Sequence, residues 1–146
     1  MAGLLDGVKV LDLTRVLAGP YCGMMLADMG AEVTKIELPG RGDDSRRNFP
    51  IVNGESAYFM NLNRNKRGMT LNLKSEKGKE IFRELVKQSD IVLENYRPGV
   101  MEKLGLGYED LKKINPAIIY GAVSGIGHYG PFSKRAGYDI IGQAMS

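Results

Sequence analysis

The sequence has no tryptophan, one cysteine (Cys22) and one histidine (His128). A single cysteine excludes an intrachain disulfide and a zinc cluster. A single histidine leaves no confident basis for a Ser-His-Asp set or a histidine-based metal site. No stretch approaches the 18 or so consecutive apolar residues that cross a bilayer. Asp6 and Lys9 interrupt the N-terminus where a signal peptide would be apolar. A cytoplasmic protein with no membrane partner is the expectation. The chain has neither a long basic stripe nor the aromatic motif of an RNA-binding sheet, so nucleic acid is not an expected partner.

What is present is ordinary globular composition: 146 residues, 43% hydrophobic and 25% charged. That length corresponds to one domain with a real core. The net charge of +3 is unevenly placed. Between Arg41 and Arg67 lie Arg41, Arg46, Arg47, Arg64, Lys66 and Arg67, opposed by Asp43, Asp44 and Glu55, so the whole excess sits there. Such a segment is equally suited to a solvated surface and to holding a polyphosphate.

Patterning predicts alternating strands and helices. Residues 8–13 read as a strand. Pro20 suits a first helical turn, Met24, Met25, Leu26 and Met29 follow at helical spacing, and Gly30 fits a C-terminal cap. Residues 31–37 read as a second strand, completing a βαβ unit. Residues 40–68 read as a long irregular segment, usually functional or mobile. Beyond it, 69–73 read as a strand. Ser75 caps a helix whose apolar stripe is Ile81, Phe82, Leu85 and Val86. Residues 90–94 read as another strand and Pro98 opens a short helix. A further helical turn or two is expected near Tyr108, and 117–123 read as a buried strand. The segment from Tyr138 onward starts a helix that stops without a cap, which predicts a longer parent chain.

This succession predicts an α/β fold with a mostly parallel sheet, whose ligands sit beyond the carboxyl ends of the strands. Several segments at those ends carry suitable groups. Residues 14–20 join a strand to a helix; they are no dinucleotide fingerprint, although amides at a helix start can receive an anion. Residues 63–67 pack three cations and two amides, suited to phosphate oxygens or to a solvated loop. Asn95 offers a donor and an acceptor, and Tyr96 a stacking face, for an adenine or an amide-bearing arm; a capped turn is the structural alternative. Cys22, among methionines, reads as a buried, inert thiol. Asp12 and Asp139 have no evident partner in the sequence.

Taken in order, the segments at 7–12, 18–20, 30–33, 35–37, 42–43, 65–67, 72–74, 94–99, 115–116 and 137–139 resemble the CoA-transferases of family III, from about Leu5 to Ser146. The resemblance implies a Rossmann-like, mostly parallel sheet with flanking helices. The whole chain, 1–146, would be the N-terminal part of the family's large domain. It implies transfer of coenzyme A between an acyl-CoA thioester and a carboxylic acid through an aspartyl anhydride and an enzyme thioester. Coenzyme A would be a substrate, with no permanently bound cofactor and no metal. It also implies an interlocked homodimer for the full-length protein.

The family's nucleophilic aspartate is expected beyond Ser146, so the resemblance gives this chain no catalytic residue and predicts that it is inactive alone. Motif by motif, it places coenzyme A against Val16, Ala18, Leu71, Lys74, Asn95, Tyr96, Arg97, Lys103, Leu104 and Arg135. Lys74, Lys103 and Arg135 would meet phosphates. Leu38 stands where the formyl-CoA branch has arginine. Arg15 and Leu17 replace a histidine and a glutamine of that branch, which argues against formate, oxalate and glyoxylate as substrates. The related α-methylacyl-CoA racemases carry a catalytic histidine where this chain has Tyr138, and a phenol of pKa near 10 is a poor base at neutral pH. Racemase-type proton transfer is therefore the alternative to transfer, with a non-catalytic nucleotide-binding module as a third reading.

Overall fold

A computed structural model describes residues 3–133, 135 and 137–145. Among the described residues, seven strands and six helices follow in order. β1 (Lys9–Asp12), α1 (Ala18–Asp28) and β2 (Glu32–Glu37) form the first βαβ unit. The segment expected to be irregular contains a 3-10 turn at Asp44–Arg47, the hairpin β3 (Ile51–Val52) and β4 (Glu55–Ser56), and the short helix α2 (Ala57–Leu62). These pieces are too short to show a periodicity, which is why the sequence did not reveal them. Then come β5 (Arg67–Thr70), α3 (Glu76–Val86), β6 (Ile91–Glu94), α4 (Val100–Lys103), α5 (Tyr108–Ile114), β7 (Ile119–Ala122) and α6 (Asp139–Met145).

Five strands form one sheet in the order β5-β2-β1-β6-β7, with every pairing parallel. The chain winds outward from β1 to β2 and β5, then returns to the other side of β1 for β6 and β7. The winding therefore reverses between β1 and β6, and the crevice beyond their carboxyl ends is where such sheets take ligands.

Burial explains the strand sequences. Val10, Leu11, Val33, Ile36, Val92 and Leu93 are at most 5% exposed, so β1, β2 and β6 are covered on both faces; β1 and β6 show this as short apolar runs, while β2 alternates and carries the buried Lys35. α3 is amphipathic: Phe82 and Val86 are wholly buried, while Lys77 and Glu80 remain in solvent. Burying such a phenyl ring stabilises the fold by about 1.5–3 kcal/mol. Ser75 caps this helix, accepting from Gly78 N at 3.1 Å. Strand β7, expected to be buried, is the outer strand on its side, and its Ile119 is 61% exposed. Its apolar sequence was misleading because an outer strand needs burial on only part of its surface. Among the described residues, no helix is long and apolar enough to cross a membrane.

Candidate functional site

The loop between β1 and α1 lies at the switch point and is fixed by three separate elements. From β1 itself, the Asp12 carboxylate accepts from Thr14 N at 2.9 Å and also from the Thr14 hydroxyl. From the segment after β2, Asp43 Oδ1 accepts from Val16 N at 3.2 Å. From the end of β6, Asn95 uses its whole side-chain amide on Arg15, with Oδ1 accepting from Arg15 N and Nδ2 donating to Arg15 O. Thus the amides of Thr14, Arg15 and Val16 are all occupied within the protein. Val16 adopts φ +70°, a conformation rare for a β-branched residue and held here by those surrounding bonds.

Two buried ion pairs support the loop. Lys66 Nζ sits 2.8 Å from Asp12 Oδ2, and also donates to Pro20 O at 2.9 Å and to Asn63 Oδ1 at 3.0 Å. Both side chains are essentially inaccessible, at 1% and 0% exposure. Lys35, equally buried, donates to Thr14 O at 2.8 Å and lies 2.9 Å from Asp43 Oδ2. That oxygen has no partner of good hydrogen-bond geometry, so the Lys35 contact is an ion pair of charge on charge. α1 passes over the first pair at Gly23, where a Cβ would stand 2.6 Å from Asp12 Oδ2; only glycine fits there.

Burial pushes the carboxyls of Asp43 and Glu37 upward. Lys35 and Ser45 outweigh this for Asp43, and the Arg46 fork, the Asp43 N–H and Lys35 outweigh it for Glu37, so both lie below the usual carboxylate range. Burial pushes Lys66 downward despite Asp12. Glu94, 3% exposed at the end of β6, is pushed up by burial. It accepts from Tyr96 N at 2.7 Å. Burial likewise raises the Tyr96 phenol, whose ring lies under the Arg15 guanidinium at 4.9 Å.

Nine of the ten residues assigned to coenzyme A fall into three groups, and Arg135 stands apart. Val16, Asn95, Tyr96 and Arg97 belong to the two loops that flank the switch point, and Ala18 opens α1 at the end of the first. Ala18 and Arg97 are exposed, and Val16, Asn95 and Tyr96 are partly covered. Lys74, on the segment after β5, and Lys103, at the end of α4, are exposed, and neither has an acid within ion-pair distance among the described residues. Leu71 and Leu104 point inward: Leu71 is in the main core and Leu104 packs against it, so their side chains are structural. Arg135 is exposed and stacks over Phe132 at 4.3 Å. For Asn95 the sequence left a nucleotide or amide-arm contact and a capped turn open, and both halves of its amide are engaged by Arg15. The side chain of Asp139 lies outside the described residues.

The cationic run at 63–67 divides: Arg64, Asn65 and Arg67 are exposed and Lys66 is not. Lys66 is buried against Asp12, while Arg64 and Asn65 both bind Asp28, at 2.6 and 2.7 Å. The functional residues missed in the sequence are these partners. Asp12 and Lys35 carried the available signal, because a charge inside an apolar strand requires a buried counter-charge.

Residues 5–146 match the family described as CoA-transferase family III. The chain is 54% identical over 143 residues to mouse succinyl-CoA:glutarate CoA-transferase, covering 97% of this chain and 33% of that protein. It is 50% identical over 144 residues to Acetobacter aceti acetyl-CoA:oxalate CoA-transferase, covering 99% and 37%. A solved CAIB/BAIF family protein from Brucella suis superposes with a TM-score of 0.93 at 47% identity, covering 99% of this chain and 39% of that one. The chain thus spans about a third of the length of the curated relatives it matches. With the fold, the parallel sheet and nearly the whole sequence in agreement, the chain belongs to CoA-transferase family III.

Proposed function

We propose that the protein transfers coenzyme A between an acyl-CoA thioester and a carboxylic acid, and that this chain supplies the surface that grips coenzyme A. The single observation that carries the reading is the rim of the switch point. There a preorganised loop is locked by Asn95 and two buried ion pairs, and the segments that follow β5 and β6 carry exposed cations with no ion pair among the described residues. Arg97 lies in the loop after β6, Lys103 ends the next helix and Lys74 lies in the segment between β5 and α3. Free cations on a rigid rim suit a diphosphate and a 3′-phosphate, because they exchange solvent for charge-assisted bonds. Asn95 acts here by shaping the loop, and Leu71 and Leu104 act by placing the backbone beneath the ligand.

The reaction runs through a carboxylate nucleophile in a segment this chain does not contain. The aspartate attacks the thioester carbonyl, and the C–S bond breaks to release CoA thiolate and leave a mixed anhydride. The thiolate attacks the aspartyl carbonyl, giving an enzyme thioester and the free donor acid. The acceptor acid then repeats the two steps in reverse, and the aspartate is regenerated. The nucleophile divides one difficult acyl exchange into easier steps. No metal or redox partner enters this balance. A cytoplasmic, interlocked homodimer completes the proposal.

The test is direct: the full-length protein is incubated with succinyl-CoA and an acceptor acid, and new thioesters are read by mass spectrometry. Appearance of the acceptor's CoA ester without net hydrolysis supports the reading. An unchanged thioester pool with every acid contradicts it.

A further inference from the structure

Arg15 differs from most of the arginines that have acid partners. Arg46 forks onto Glu37 at 2.7 Å, Arg64 reaches Asp28 at 2.6 Å, and Arg41 reaches Asp44 at 3.0 Å. Among the described residues, the acid partner of Arg15 is the other oxygen of that same Asp44, at 3.9 Å, and 38% of its side chain remains exposed. Its backbone is nonetheless held at both N–H and C=O by Asn95, and its guanidinium rests on the Tyr96 ring. A cation that is fixed in place, stacked and short of a partner is preorganised for an incoming anion.

The local charge states which anion. Arg15, Arg41 and Asp44 together carry one net positive charge. The other cations that fix this loop, Lys35 and Lys66, are buried in pairs of their own. One net charge matches a single carboxylate and falls short of a phosphate dianion. The neighbour on the helix side is apolar, since Leu17 is 45% exposed. A carboxylate on a short aliphatic tether therefore fits better than a phosphate. The reacting carboxylate loses its charge on becoming a thioester, so a standing cation would oppose that step. A second carboxylate keeps its charge throughout.

We propose that Arg15 recognises the second carboxylate of a dicarboxylic acid, and so selects dicarboxylic over monocarboxylic acceptors. This rests on the transfer reaction proposed above. Arg15 is a specificity determinant, with no role in bond making.

The experiment is a competition in one vessel, using the full-length protein, one acyl-CoA donor, and equal glutarate and pentanoate. The ratio of the two new thioesters equals the ratio of their kcat/KM values and is independent of the donor half-reaction and of the active fraction. For Arg15→Gln the glutarate preference should fall by about ten- to a hundredfold, the worth of a charge-assisted hydrogen bond. Arg15→Lys should restore part of it. An unchanged ratio in Arg15→Gln overturns the proposal, even if total activity drops through misfolding. An unchanged ratio accompanied by a raised KM for the donor overturns it in favour of a phosphate contact. Absence of new thioester with the unaltered protein and any acid removes the transfer reading itself, and this inference with it.

Discussion

Asn95 and Arg15 are joined like a pair of neighbouring strands: Asn95 Oδ1 accepts from Arg15 N at 2.8 Å, and Asn95 Nδ2 donates to Arg15 O at 2.7 Å. The side chain continues the β1–β6 pairing past the end of the sheet. It makes one residue of the second loop responsible for the shape of the first.

Replacing Asn95 by Asp keeps the acceptor and removes the donor. Replacing it by Ala removes both. Each leaves a partly buried backbone group of Arg15 unpaired, at about 1–3 kcal/mol per group. Urea unfolding should therefore rank the wild type above Asn95→Asp and Asn95→Ala. Exchange of the Arg15 and Val16 amides should accelerate in both variants. Equal amide protection in all three proteins contradicts the clamp.

Lys66 should prove structural. Lys66→Met leaves the Asp12 carboxylate buried without its counter-charge, an expected loss of about 3–5 kcal/mol. Adding Asp12→Asn removes that charge while keeping an acceptor for Thr14, so the double variant should recover part of the loss. Additive losses in the two variants would show that the ions do not interact.

Gly23 lies where α1 crosses this pair. Gly23→Ala forces its methyl group against Asp12, and overpacking of this kind costs about 1–3 kcal/mol. Circular dichroism melting should show a lowered Tm. An unchanged Tm would mean that the helix has room to move away.

Glu94 sets a pH dependence of opposite sign to that of Glu37 and Asp43. Burial raises its pKa above the ordinary 4.5, so the folded protein binds this proton more tightly than the unfolded chain. Its contribution is fully present below the unfolded value and is lost as pH rises through the folded one. The groups around it are the Tyr96 amide, the Tyr120 hydroxyl, Glu102 and His128, whose buried Nε2 has no hydrogen-bond partner among the described residues. Glu37 and Asp43, with lowered pKa values, contribute stability above their unfolded values and lose it as pH falls through the folded ones. Glu94→Gln keeps an acceptor for Tyr96 and cannot ionise. Its Tm relative to wild type should rise from pH 4 to pH 7. A flat difference across that range contradicts a raised Glu94.

The architecture was legible where periodicity was long. The apolar strands at Val10 and Val92 and the stripe ending at Val86 announced a parallel sheet with covering helices. The pieces between Asp44 and Leu62 were hidden because two- to six-residue elements carry no period. The switch point was legible in the sequence, whereas the partners of its side chains were not. Loops at strand ends pointed to the switch point, and the free cations Lys74 and Lys103 stand exposed as a ligand contact requires. The partners of Asn95 and Lys66 were not legible because residue type reports what a side chain offers, while the fold decides who takes it. Asp12 and Lys66 are 54 positions apart, and only the sheet order brings them together.

The central claim is that this rim grips coenzyme A through cations at Lys74 and Lys103. The measurement that tests it most directly is a calorimetric titration of coenzyme A into the full-length protein and its Lys74→Ala, Lys103→Ala double variant. The account predicts a Kd raised by about tenfold or more, the worth of one to two charge-assisted contacts, with the difference shrinking as salt is added. Equal affinity for the two proteins at low salt would contradict it.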